Sequence, residues 1–357
     1  MSYGVKLDPR PLSGDTSVTS LVDNFFYAYN AARLREACQL FARKIAQPDV
    51  TIGVSLSGAL TPTGLGTAAL VPLIRAGLID WVVSTGANLY HDMHRSLGFD
   101  LFGTTPFVDD VELRERQIIR IYDILFHQDV LLKSDEFLRQ CMEAPEFQRT
   151  MSTAELHYLL GRYTQAREQA LGSGYVSVLT AAHEAGVPLY TSSPGDSTIG
   201  MNVAAMVMQG NKLRFDVERD VNETTAIVYR AKKYKGQSAV IIFGGGSPKK
   251  LCFADRAANP GDYGPVREGA RLLYSVYRCR PDTGGLSGAT PSEAMTWGKV
   301  DPDQLPGTVV AYVDTTIALP ILASYALAVA EPRPLKRLYE RRDELMARIT
   351  EDYLSRI

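Results

Sequence analysis

At 357 residues, with 45% hydrophobic and 22% charged content, the chain has the composition of a folded globular protein rather than a disordered or fibrous one. Its 38 basic and 40 acidic residues leave a formal net charge of -2 without long single-sign runs, which argues against a nucleic-acid partner. The N-terminal stretch lacks an apolar signal core, no apolar run of about 18 residues is present to span a bilayer, and Cys38, Cys141, Cys252 and Cys279 form no CxxC pair. A reduced, cytoplasmic protein is expected.

Residues 1–16, with Pro9, Pro11, Gly4 and Gly14, read as an extended arm. A helix is predicted over Val18–Ile45, where Leu34, Ala37, Cys38, Phe41 and Ile45 recur at helical spacing. Val50–Val54 then reads as a strand, Thr63–Ala76 as a helix, and Ile79–Val83 as a second strand that ends at Ser84-Thr85-Gly86. Such a βαβ unit places small polar residues where open parallel sheets bind ligands. The loop from Ser57 to Gly64 lacks the GxGxxG pattern, so an ordinary turn and an anion cradle are equally compatible with it.

His91 and His94 flank Asp92 at i, i+3 spacing; without a third ligand at a recognisable distance they read as core or surface histidines, and no metal site is expected. One helix is predicted over Val111–Phe126, presenting Leu113, Ile118, Ile121 and Leu125, and further helices over 134–142 and 153–166. Val187–Thr191 is a strand that runs into Ser192–Thr198, a loop carrying hydroxyls and Asp196. Ala239–Phe243 is a buried-type strand followed by Gly244-Gly245-Gly246. Three glycines in a row cost backbone entropy, which favours a functional loop. Leu272–Val276 and Thr308–Tyr312 are two more strands, the second leading through Asp314-Thr315-Thr316 into an apolar helix over Ile317–Val329.

Six strands separated by helices predict an α/β fold with a doubly wound, mostly parallel, Rossmann-like sheet. The expected organisation is one domain over 17–333, preceded by the arm and followed by a charged helix over 334–357, with Leu338, Leu345 and Ile349 as its narrow stripe.

The stretch Thr283–Lys299 begins as a glycine-rich turn and passes through a helix-favouring segment, Pro291–Thr296, to Trp297-Gly298-Lys299. A free lysine has a pKa of about 10.4, so a nucleophilic one needs burial or a nearby cation to lose its proton. Trp297 offers a dry wall and a ring face for an ammonium. Glu293, one helical turn earlier, can pair with a substrate amine.

Four segments together resemble deoxyhypusine synthase and its bacterial relatives: LRERQIIRIYDILF (Leu113–Phe126), Gly244–Gly246, SGATPSEAMTWGK (Ser287–Lys299) and VDTTIALPIL (Val313–Leu322). The likeness runs from about residue 18 to 330. It implies an NAD-dependent transfer of an aminobutyl group from spermidine or a related polyamine, with Lys299 as the imine-forming nucleophile. The acceptor is then a protein lysine, or putrescine in homospermidine-forming relatives. It further implies a homotetramer with active sites between paired subunits. The positions that match the family's NAD site are Ser57, Ser84, Thr85, Gly86, Asp196, Thr198, Gly245, Gly246, Asp314 and Thr315.

Glu293 and Trp297 match substrate-binding positions, but four others depart from the pattern. Lys250 stands for a histidine, Ala254 for an asparagine, and Leu286 and Met201 for aspartates that hold cationic amines. These departures make the pocket less suited to a polycation. Two rival expectations follow: homospermidine formation from small diamines, and a nucleotide-binding regulatory protein without turnover.

Overall fold

The computed structural model describes residue 4 and residues 6–172, 174–233, 236–252, 272–276, 282, 284–297, 299–300 and 306–355. Ala254 and Cys279 lie outside them.

Six parallel strands form the central sheet: β1 (Val50–Leu56), β2 (Trp81–Ser84), β3 (Leu189–Thr191), β4 (Gln237–Phe243), β5 (Leu272–Val276) and β6 (Thr308–Ala311). Their order across the sheet is β6-β5-β4-β1-β2-β3, so the chain winds outward from β1 to one edge, returns beside it as β4, and winds to the other edge. The register brings the strand ends into line. Thr191 pairs with Ser84, Ser84 with Leu56, Leu56 with Phe243, Phe243 with Val276, and Val276 with Ala311. Every loop at the carboxyl edge therefore starts from one level.

The sheet is buried on both faces, as a parallel sheet requires. Val50, Ile52, Val54 and Leu56 of β1 join Ala239, Ile241 and Phe243 of β4 in one core, under the helices Tyr29–Leu40 and Thr315–Val329. On the other face Val240 and Ile242 pack with Trp81, Val83, Ile227 and Leu345, beneath the helices Val217–Lys233 and Arg342–Leu354. Each fully buried Val, Leu or Ile stabilises by roughly 1.5–3 kcal/mol. Gly53 is required in β1 because the Trp81 indole lies across it; an added Cβ would stand 2.6 Å from the ring.

Three expectations change. The charged helix expected over 334–357 runs from Arg342 to Leu354, with Leu338 in the turn before it. The stretch Val18–Ile45 divides into helices Val18–Phe25 and Tyr29–Leu40, the second continuing as a π-turn over Phe41–Ile45. The single helix predicted over Val111–Phe126 is a short helix, Asp110–Glu115, followed by an antiparallel hairpin of Ile118–Ile121 with Ile124–His127. Four β-branched isoleucines favour the strand, and Gln117 and Tyr122 adopt positive φ, 57° and 55°, which a helix does not allow. No helix among the described residues is long and apolar enough to cross a membrane.

Candidate active site

The reversal of strand order between β1 and β4 opens a crevice beyond their carboxyl ends, the place where doubly wound sheets bind ligands. Ser57 follows β1 and Gly244 follows β4, and the two loops are tied across the crevice. The Gly245 N–H donates to Ser57 Oγ at 2.8 Å, and that hydroxyl lies 3.3 Å from the Phe243 carbonyl, to which it donates. Gly244 has φ +90°, and a Cβ there would fall 1.8 Å from Ser57 Oγ, so both its conformation and its space exclude a side chain.

The lysine-bearing block docks on the same loop. Ser287 lies in the 3₁₀ turn Leu286–Gly288, and its Oγ accepts from the Gly246 N–H at 2.8 Å. A Cβ on Gly245 would meet Ser287 at 2.4 Å, which shows how closely the two backbones approach. Lys249 completes the junction: it is buried, and its Nζ donates to the Ala289 carbonyl at 2.7 Å and the Ser287 carbonyl at 3.4 Å. From there Thr290 caps the helix Pro291–Thr296 by accepting from the Glu293 N–H at 3.2 Å. Pro291 at its first position suits helix initiation. That short helix turns the chain so that Lys299 Nζ lies 5.4 Å from the centre of the Trp297 ring, within cation–π range. Trp297 is 67% exposed, Glu293 is exposed and Lys299 is half-buried.

The other sequence-derived positions are distributed along the carboxyl edge. Thr85 caps the helix Gly86–Ser96 and donates to the Gly58 carbonyl, closing the β1 loop onto the β2 loop. Ser84 is fully buried and its hydroxyl bonds the Thr85 carbonyl at 3.0 Å. Beyond β3, Asp196 is exposed and Thr198 begins the helix Thr198–Met208. Asp314 and Thr315 stand at the start of the helix Thr315–Val329, with Asp314 Oδ1 accepting from the Thr316 N–H at 2.9 Å.

Thus Ser57, Gly245 and Gly246 are brought directly together, and Ser287 joins that glycine loop to the Trp297–Lys299 segment. Leu286 lies in the same 3₁₀ turn as Ser287, Met201 is 63% exposed on its helix, and Lys250 is exposed.

Four further side chains contribute: Ser193 and Ser197, within the Ser192–Thr198 loop marked in the sequence, and Ser247 and Lys249, which the sequence did not single out. Ser197, not Thr198, caps its helix, accepting from the Gly200 N–H at 3.2 Å. Ser193 and Ser247 bridge the β3 and β4 loops at 3.0 Å. Lys249, beside Lys250, is the buried member of the pair. The signal was its spacing: Lys249 is three residues after Gly246 in a helix, Gly246–Leu251, whose inner face meets the Ser287 turn. His91 and His94 are spent on packing, with His91 Nδ1 and His94 Nε2 3.0 Å apart and His94 Nδ1 2.8 Å from Ser134 Oγ.

The strand order, the level carboxyl edge and the serine-and-glycine junction at its reversal point define a doubly wound α/β protein with the topology of dinucleotide-binding folds. The deoxyhypusine synthase family model matches residues 20–326. The deoxyhypusine synthase-like protein of Nostoc sp. (strain PCC 7120) is 55% identical over 99% of this chain and 92% of its own length. A Methanosarcina mazei relative named Probable deoxyhypusine synthase 2 is 32% identical over 87% of this chain and 86% of its own. Among solved structures, an Entamoeba histolytica protein classed with deoxyhypusine synthase superposes with a TM-score of 0.58 at 13% identity, covering 90% of this chain and 97% of that one. The chain belongs to the deoxyhypusine synthase family.

Proposed function

We propose that the protein is an NAD-dependent aminoalkyl transferase in which Lys299 carries the transferred group. The observation that supports this most is the junction just described. The segment bearing Trp297 and Lys299 is fastened by Ser287 and Lys249 to the glycine loop at the sheet's reversal point, so a group bound along that edge and the lysine share one frame.

NAD suits this edge in its lining. Small residues let the backbone approach closely at Gly245 and Gly246, and the helices starting at Gly86, Thr198 and Thr315 direct their positive ends toward it. Ser57, Thr85 and Gly86 would lie along the phosphates, and Asp196 or Asp314 would accept from ribose hydroxyls. Bound NAD supplies a hydride acceptor for the carbon beside the donor's secondary amine and returns the hydride at the end.

The protein's own residues do the transfer. Lys299, neutral at Nζ, attacks the carbon of the oxidised donor. A new carbon–nitrogen bond to Nζ forms, the bond to the departing amine breaks, and that amine leaves with the proton Nζ gives up. An acceptor amine repeats the exchange and restores Lys299. The Trp297 face holds an ammonium group near Nζ, and Glu293 pairs with a second amine. The 67% exposure of Trp297 fits a site closed by a neighbouring subunit, the arrangement expected of a homotetramer; light scattering of the purified protein checks the assembly.

Incubation with NAD and labelled spermidine or putrescine, followed by borohydride reduction and mass spectrometry, should place a four-carbon amine on Lys299. Lys299→Ala should abolish both the adduct and label transfer. Adduct formation that persists in Lys299→Ala would assign the chemistry elsewhere. A second reading, transfer to a small diamine with no protein substrate, is favoured by the apolar Leu286 and Met201, which stand where the family resemblance leads us to expect acids. Label in homospermidine, with none in protein, would select it.

A further inference from the structure

Ser193 and Ser247 meet where the strand order would keep them apart. Ser193 follows β3, and Ser247 lies in the first turn of the helix Gly246–Leu251 after β4; in the sheet, β1 and β2 stand between those two strands. Three inter-strand steps, about 14 Å in all, separate the strand ends. The two hydroxyls are nevertheless 3.0 Å apart. The loops therefore arch across the carboxyl ends of β1 and β2 and touch.

The two sides of this arch are held differently. On the β4 side the Gly246 N–H donates to Ser287 Oγ at 2.8 Å, and the buried Lys249 ammonium donates to the Ala289 carbonyl at 2.7 Å, so that side is anchored. The β3 side is a turn, Ser193-Pro194-Gly195-Asp196, closed on itself by the Asp196 N–H, which donates to the Ser193 carbonyl at 3.0 Å. Gly195 and Asp196 are exposed, and a Cβ added to Gly195 would meet nothing within 4 Å, so the tip of the turn has room to move. Just behind the turn, Ser197 fills the space over Gly86, where an added Cβ would stand 2.3 Å from its side chain. Gly86 is thus covered by the loop that Ser193 fastens. A ligand that uses Gly86 has to lift this loop, and lifting it separates Ser193 from Ser247.

We propose that the Ser193–Ser247 pair is a latch on the carboxyl edge: NAD enters by parting the two hydroxyls, and the turn then brings Asp196 down onto the ribose. This rests on the NAD reading given above and adds how access to that site is controlled. Hydroxyls suit a latch because each donates and accepts, and each can exchange its partner for water. The net contribution of such a neutral pair shifts the closed-to-open ratio by up to about tenfold, a bias that a ligand overcomes easily.

The test is calorimetric titration of the full-length protein with NAD in the parent, in Ser193→Ala, in Ser247→Ala, in the double alanine variant, and in the Ser193→Cys, Ser247→Cys pair before and after reduction. Each alanine variant should bind NAD about three- to tenfold more tightly than the parent. The double variant should bind no more tightly than either single one, since the same bond is lost in all three. The cysteine pair, once peptide mass confirms its disulfide, should bind NAD weaker by about a hundredfold or more, with recovery on reduction. Parental affinity in both single alanine variants, additive gains in the double variant, or undiminished binding by the oxidised pair overturns the latch; the alanine variants decide alone if the disulfide does not form. If the parent binds no NAD, the reading of the active site fails, and hydrogen exchange over residues 192–198 decides the latch separately. Exchange about tenfold faster in Ser247→Ala than in the parent supports a latch that admits another ligand, and equal exchange removes it.

Discussion

Lys249 and Lys250 are neighbours in sequence with opposite situations: one ammonium is buried against two backbone carbonyls, the other is exposed. Hydrogen bonds from a charged donor contribute about 1.5–3 kcal/mol each, so Lys249→Met should loosen the Ser287–Ala289 turn and lower transfer at least tenfold with the fold retained. Lys250→Met should leave stability unchanged. A melting curve beside the borohydride-adduct assay separates the two; equal behaviour of both variants would remove Lys249 from its positioning role. Gly244→Ala makes a related point about the partner loop. With φ at +90° and Ser57 Oγ in the way, it should cost more than about 1 kcal/mol in urea denaturation. The sequence showed that the triple glycine matters, since glycine in a row is a local signal. It did not show which lysine turns inward, because that depends on where a segment some 40 residues later comes to rest.

At the level of elements, the strands were legible and the hairpin was not. The apolar runs read as Val50–Val54 and Ala239–Phe243 lie inside the strands Val50–Leu56 and Gln237–Phe243, and mark buried parallel strands without knowledge of their neighbours. Ile118, Ile121 and Leu125 of the hairpin, with Leu113 in the helix before it, fall at spacings a continuous helix would also give, and only pairing with a partner strand decides between them. Tyr122 pays for the turn with a left-handed backbone at 68% exposure, so Tyr122→Gly should be tolerated, and Tyr122→Val should destabilise by about 1–2 kcal/mol.

Buried titrating groups set the pH response of the helices. Burial first, then the charges of His91 and Arg95, lowers the pKa of His94 to about 3; burial lowers His157 to about 4. Their unfolded pKa is about 6.5, so the stability they allow is present above that value and is lost as pH falls toward 4 and 3. Burial raises Asp92 and Asp220 to about 7, and these act in the opposite sense: the protonated forms favour the folded state, and that contribution is lost as pH rises from about 4 through 7. Between pH 4 and 6.5 the contributions of these two histidines and two aspartates oppose each other. Replacing one partner should unmask the other: His94→Gln should lose less stability than the parent between pH 7 and 4, and Asp220→Asn should lose less between pH 5 and 8. Urea denaturation at four pH values reads both slopes, and parallel profiles for parent and variants would remove these groups as the cause.

Across the whole molecule, the chain after the helix Thr315–Val329 is drawn back under the sheet by one arginine. Arg333 is almost wholly buried and uses its planar fork to reach the Gly77 carbonyl at 2.8 Å, the Gln47 and Val50 carbonyls at 2.8 Å, and Asp80 at 2.9 Å. Asp80 in turn accepts from the Ile52 N–H at 2.8 Å, so the segment after the last strand, the entry to β1 and the turn before β2 meet at one ion pair. No sequence pattern announces this, because its members are about 250 residues apart and each looks like an ordinary charged residue. Removing one partner of a buried pair leaves an uncompensated charge and costs about 3–5 kcal/mol. Lys336, 3.7 Å from Asp80, tempers that cost without supplying the fork. Arg333→Met should therefore lower the urea midpoint sharply, and Arg333→Lys should recover only part of it. Adding Asp80→Asn to Arg333→Met should cost less than the sum of the two single changes, because the charge left stranded by the first is removed by the second. Additive losses would mean that the carbonyl contacts alone, not the ion pair, fasten the C-terminal segment to the sheet.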